Sequence, residues 1–154
     1  MHSGHRGISK ENVFFSNVNT GDEYEAIKAK LSGLPFVEGI SCASDIPTSV
    51  HNSATNWGLQ GNLKNSLLSY SYVDYDFAKL FNLSVIKGEF FSENFKSNSK
   101  KIVLNESAAS YLGIENPVGE TCYIQGEPFQ IVGIVKNYNY QALKRTNLKS
   151  SLNL

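Results

Sequence analysis

Charge is scarce in this chain of 154 residues: 18% is Asp, Glu, Lys or Arg, against about 25% in ordinary soluble domains. The 14 basic and 14 acidic side chains cancel. Apart from Lys100-Lys101 and Lys144-Arg145 the cationic residues are scattered, so no stripe is available to neutralise a phosphate backbone. Nucleic acid is therefore not an expected partner. Long apolar runs are also missing: nothing approaches the roughly 18–20 residues that a bilayer-spanning helix needs, and the opening MHSGHRG has no apolar signal core. Two origins fit that pattern, a cytosolic protein or a piece of a longer chain whose targeting and membrane segments lie elsewhere.

Cysteine is limited to Cys42 and Cys122, which form no CxxC or zinc-ligand spacing. A bond between them would close a long loop and could add about 4 kcal/mol in the chain-entropy model. The preferred reading is two free thiols acting as small apolar side chains on strands. Catalytic and phosphate-binding motifs are absent too: there is no G-x-S-x-G, G-x-x-x-x-G-K-[ST], H-E-x-x-H or G-x-G-x-x-G. His2 and His5 fall in a Gly/Ser-containing leader, and no flanking pattern turns His51 with Cys42 into a protease pair. No catalytic residue, metal ligand or cofactor site is expected.

What the chain does have is core material, with 41% hydrophobic and 12% aromatic residues. Asn12–Val18 reads as a strand, and Thr20-Gly-Asp-Glu23 fits a capping box opening a helix. Tyr24, Ile27 and Leu31 share one face of that helix, which Gly33 and Pro35 end. Phe36–Ala43 turns toward alternation and reads as a second strand. Asp45–Ser66, rich in Gly, Ser, Thr and Asn, reads as a loop or irregular β structure around Trp57, which it could place at a contact surface.

Leu67–Val73 alternates as a strand, and Asp74 is placed to cap a short helix carrying Phe77, Leu80 and Phe81. Extended structure from Leu83 ends at Gly88, and the polar stretch Phe90–Ser99 marks a soft boundary. Ile102–Leu104 then reads as a strand, Asn105 as the cap of a helix through Leu112, and Gly113 as its stop. Asn116–Gly119 turns the chain into a hairpin, Thr121–Ile124 with Phe129–Val135 across Gln125–Pro128. Gly88 and Gly133 suggest bulges or close backbone approaches. Glu106, beside Ser107, suits the positive end of its helix. Beyond Lys136 periodicity fades, with a short helix expected near Gln141–Lys144.

Taken in order, NVFFSNV, EYEAIKAKLSGLP, VEGISCASDIP, YVDYDFAKLFNLSVIKGEFFS and IVLNESAASYLGIENPVGETCYIQGEPFQIVGIVKNYNYQAL resemble the MacB-like periplasmic core domain of FtsX/MacB-type ABC transporter permeases, Bacteroidetes-type members in particular. Glu89 stands where the family often has a basic residue, and Asn137 and Asn139 where Asp and His are common. The resemblance implies an α+β fold in which porter-like βαβ units over residues 10–95 pack with a smaller β-rich part, called Sabre in relatives, over 98–140. Residues 141–154 would lead to the next transmembrane helix.

It further implies a domain on the periplasmic side of the bacterial inner membrane, excised from an integral membrane protein and performing no bond chemistry. Such a domain would transmit ATP-driven motion to a partner or cargo. Implied partners are the remainder of the permease and its cytoplasmic ATPase, a twin permease subunit, and a periplasmic adaptor, lipoprotein or peptide. Trp57, Phe90 and Phe91, from the loop and the boundary segment, are the candidate partner-contact residues. Two rivals remain open: a secreted glycan- or peptide-binding module using Trp57 and the Tyr-rich strand, and a hydrolase using Cys42 or Ser107.

Overall fold

The computed structural model describes residues 13–18, 21–45, 49–93 and 100–138, and the backbone of a strand at Thr146–Ser150. Its frame is one nine-stranded sheet of mostly antiparallel pairs, so the α+β class holds. The strands are β1 (Ser53–Ala54), β2 (Trp57–Leu59), β3 (Asn62–Lys64), β4 (Leu68–Tyr72), β5 (Val85–Gly88), β6 (Lys101–Asn105), β7 (Thr121–Ile124), β8 (Glu127–Val135) and β9 (Thr146–Ser150). They lie in the order β1-β4-β9-β6-β8-β7-β2-β3, with β5 added to β8. Two pairs are parallel, β4 with β9 and β6 with β8. The boundary expected near Phe90–Ser99 thus falls between strands of a single sheet, because β2 pairs with β7 and β4 shares β9 with β6.

Strand β6 explains why the core divides in two. Successive side chains of a strand point to opposite faces. Ile102 and Leu104 accordingly join Ala108, Ala109 and Leu112 of helix α3 (Glu106–Leu112), while Val103 joins Phe77 and Phe81 around helix α2 (Phe77–Leu80). β8 does the same with Ile131 and Ile134 on one face and Val132 and Val135 on the other. The two odd-even sets stay in step only because β8 carries a bulge: Ile102 faces Ile131, but Val103 faces Gly133, which skips Val132.

Several local expectations hold. Asn105 Oδ1 accepts the Ala108 N–H at 2.9 Å as the cap of α3, and Gly113 closes that helix in the left-handed conformation. Helix α1 (Gly21–Leu31) forms with Asp22 and Glu23 in its first turn and Lys28 and Lys30 near its end, complementing the helix dipole. Thr20, and with it the capping box, lies outside the described residues, as does the helix expected near Gln141–Lys144. The hairpin is tighter than read: Gln125 and Gly126 alone connect the strands, both at positive φ, a type I′ pairing that matches strand twist. Pro128 fits inside β8 because it faces Tyr123 at a position without ladder bonds to β7, and β6 begins pairing only at Gln130.

Other expectations are corrected. Val13–Val18, the described part of the first expected strand, pairs with nothing regular, and Phe14 is 96% exposed. Phe36–Ala43 shrinks to one bridge, Ala43 with Val73. The stretch read as loop or irregular β structure holds regular strands at Ser53–Ala54, Trp57–Leu59 and Asn62–Lys64, the second folding back on the third. These three disagreements have one cause: β structure is decided by the neighbouring strand as much as by propensity. Among the described residues no helix is long and apolar enough to cross a membrane.

Gly88 and Gly133 face each other across β5 and β8. A Cβ on Gly133 would fall 2.0 Å from the Glu89 carbonyl oxygen, so that backbone approach exists only without a side chain. Gly133→Ala should lower stability by about 3 kcal/mol or more through overpacking, whereas Gly126→Ala, with open space around it, should cost about 1–2 kcal/mol for its left-handed backbone. Urea unfolding of the two variants checks the contrast.

Candidate functional site

The candidate contact residues are mostly interior. Trp57 is fully buried, donates Nε1–H to the Ser66 carbonyl at 3.1 Å and stacks on Tyr111 with ring centroids 5.6 Å apart. Its strand directs it into the core, so a Trp57 contact surface is not formed here. Phe91 is buried among Val73, Phe77 and Val132, and Phe90 packs half-buried against the same cluster. The aromatic ring that does reach solvent beside Trp57 is Tyr111, with Lys64 Nζ 5.8 Å from its centroid. Helical spacing hid it, because Tyr111 follows Ser110 on the outer side of α3.

Three polar assemblies organise the surface. The first centres on Asp74, which does not cap α2; the position before that helix is Asp76, whose side chain makes no capping bond. Asp74 instead accepts the Tyr24 hydroxyl, the Ser41 hydroxyl at 2.5 Å and the Cys42 backbone N–H at 2.9 Å. Its own N–H returns to the Cys42 carbonyl at 3.0 Å. Burial, then the Asp74 bond, raises the Tyr24 pKa and keeps the phenol protonated.

The second assembly ties Asp45 to Ser44, His51 and Asn52. The Asp45 carboxylate, 6% exposed, accepts from the Ser44 hydroxyl, the Asn52 amide, the His51 N–H and the His51 ring. His51 Nε2 in turn lies 3.3 Å from Ser49 Oγ, a Ser–His–Asp succession within one loop. A working nucleophile also needs a water-excluding cleft and oxyanion donors. The His51 side chain is 80% exposed and solvated, so these bonds serve to hold His51 and Asn52 against Asp45.

The third assembly closes α3 on the end of β8. Asn137 Oδ1 accepts both the Ser107 N–H and its hydroxyl at 3.1 Å, and Glu106 Oε2 accepts the Asn137 N–H at 2.9 Å. These residues, with Ser110 and Tyr111, line an open cleft of about 550 Å³. A second hollow of about 420 Å³ runs beside Leu59, Gly119 and Tyr123.

Ser107 is thus bonded to an amide, which cannot serve as a general base. Cys42 and Cys122 are both free thiols. Burial, then the Asp74 charge, pushes Cys42 up, and burial pushes Cys122 up to about 11, so neither is an activated thiolate. Among the described residues no group of three or more His, Cys, Asp or Glu side chains converges as a metal site.

This geometry, a mixed sheet buried on both faces, agrees with what the chain resembles. The model of the MacB-like periplasmic core domain matches residues 5–148, and the chain belongs to that family. It is 25% identical over 134 residues to the pyoverdine export ATP-binding/permease protein PvdT of Pseudomonas fluorescens, covering 83% of this chain and 20% of that protein. The PvdT protein of Pseudomonas syringae pv. syringae is 29% identical over 110 residues, 68% of this chain and 17% of its own. The chain therefore spans about a fifth of the length of these relatives.

Similar folds occur in the periplasmic region of MacB from Actinobacillus actinomycetemcomitans, with TM-score 0.60, 21% identity, and coverage of 82% of this chain and 54% of that one. The extracellular domain of the noncanonic ABC-type transporter YknZ from Gram-positive bacteria gives TM-score 0.62 at 18% identity, with 84% and 62% covered.

The Asp45 carboxyl gives this region an acid limit. Burial pushes its pKa up, but the bonds from the His51 backbone, Ser44, the His51 ring and Asn52 outweigh it and leave the pKa below the ordinary value. A depressed folded pKa means stabilisation that is complete above the unfolded value of about 4 and lost as pH falls through the folded one. Asp45→Asn should flatten that part of the stability profile below about pH 4 relative to wild type, as urea midpoints measured across the acid range would show.

Proposed function

We propose that this chain is the extracytoplasmic domain of an ABC transporter permease, held on the periplasmic side of the inner membrane, and that it passes ATP-driven motion to a periplasmic partner or cargo without bond chemistry of its own. The observation that carries this reading is membership of the MacB-like periplasmic core domain family over residues 5–148. Its working partners would be the rest of the permease, the cytoplasmic ATPase and a twin permease subunit, with an adaptor, lipoprotein or peptide on the periplasmic side.

The physical support is mechanical. Transmission needs a body that moves as a unit and contacts that differ between two states. Strands β6 and β8, apolar on both faces, tie the sheet to α2 on one side and α3 on the other, so displacement of one layer is felt by the next. Among the described residues, the carboxylates of Asp74 and Asp45 are taken up by internal donors, which supports a structural use for them. A glycan- or peptide-binding module built on Trp57 loses its central residue to the core.

The test uses the intact permease with its ATPase. A spin label placed by Gln60→Cys, in a Cys42→Ser, Cys122→Ala background, reports the distance between the two copies of the domain. The expected result is a distance distribution that shifts between nucleotide-free and ATP-trapped states. Identical distributions in the two states would defeat the proposal, and so would ATP hydrolysis by the domain alone.

A further inference from the structure

Helix α1 is attached differently from α2 and α3. Its buried residue is Tyr24, yet Tyr24 belongs to neither apolar cluster that binds the sheet to the other two helices. Among the described residues, a single turn between β4 and α2 supplies polar fastenings to Tyr24 and Lys28. Tyr24 donates its hydroxyl to Asp74, and Lys28 Nζ lies 2.7 Å from Asp76 Oδ2. The Lys28 and Asp76 side chains are 31% and 48% exposed, and an ion pair that open contributes about 0–1 kcal/mol.

Most of the large apolar residues around the helix add little anchorage. Leu31 at its end, Leu34 and Phe36 after it, and Phe14 and Phe15 before it are all exposed, Phe36 by 78%, while Val13 packs against the cluster around α2. An element with few buried apolar contacts opens at a free energy well below that of the global core. Asp74 also receives Ser41 and the Cys42 N–H, so the same carboxylate that fastens α1 anchors the chain that follows it.

We infer that α1 is a latched arm, fastened to the sheet body through Asp74 and Asp76 and able to open while the sheet stays folded. This rests on the proposed function and names its moving part: opening would change the surface offered by Tyr24 and the residues following α1 without disturbing β6 or β8. Rejection of the arm and rejection of the transmission role remain separate results. Exchange in the chain itself reads the arm whether or not ATP-driven motion passes through the domain, and the spin-label distances read that motion whether or not α1 opens.

The experiment is native-state hydrogen exchange of the whole chain, resolved by peptide. In the wild type, the amides of Glu25–Leu31 should exchange at least about a hundredfold faster than those of β6 and β8. Tyr24→Phe removes the donated hydroxyl and should accelerate α1 a further tenfold or so, leaving β6 and β8 within about twofold. Lys28→Met, at an exposed pair that cannot threaten folding, should accelerate α1 about two- to threefold with the sheet again unchanged. Equal protection of α1 and the sheet in the wild type would overturn the inference. So would Tyr24→Phe accelerating helix and sheet together, or both variants leaving α1 exchange unaltered.

Discussion

Burial of β6 on both of its faces is the constraint from which the rest of the architecture follows. A strand that is apolar on one side needs one covering layer; Ile102, Val103 and Leu104 need two. α3 supplies one directly, since Asn105 ends the strand and caps the helix in the same residue. α2 supplies the other from a distant part of the chain, through Phe77 and Phe81. The parallel pairing of β6 with β8 follows as well, because the chain must cross through α3 and β7 before β8 can run in the same direction beside β6.

The elements legible in the sequence were those whose signals are local. Asn105, Gly113 and the Gln125-Gly126 turn act within a few residues of themselves, and α3 and the β7–β8 hairpin formed where those residues pointed. Elements that depend on a distant partner were misread. Val13–Val18 has strand composition but no regular neighbour, whereas Thr146–Ser150, polar and without periodicity, becomes β9 because β4 and β6 present open edges on either side of it. Trp57 was misread for the same reason: Gly58 and Gly61 after it suggested a loop, and only the pairing with β3 and β7 turns it inward.

Carboxylates show a parallel split between local and distant use. Asp74 has the sequence position of a helix cap, and a cap is worth about 1 kcal/mol. As placed, it instead accepts three donors from residues 24, 41 and 42, each brought to it by tertiary structure. A charge-assisted bond contributes about 1.5–3 kcal/mol, so the distant use outcompetes the local one even though the local one is the only one the sequence displays. Asp45 repeats the choice within a shorter loop, accepting its neighbours Ser44 and Asn52 together with His51.

The contrast between apolar and polar fastening bears on how such a domain could do work. A helix held by packing, as α3 is, cannot leave without exposing Ala108, Ala109 and Leu112 to water, at roughly 25 cal/mol for each Å² uncovered. Opening α1 uncovers one buried ring, Tyr24, and exchanges the phenol and ammonium bonds for water, which replaces the lost partners, so its net cost is lower than that of uncovering the α3 face. A partner can shift an equilibrium only by its differential affinity for the two states. Placing the polar fastenings on α1 and the apolar ones on the sheet therefore confines any modest binding energy to the arm, while the body that carries displacement from one layer to the next stays intact.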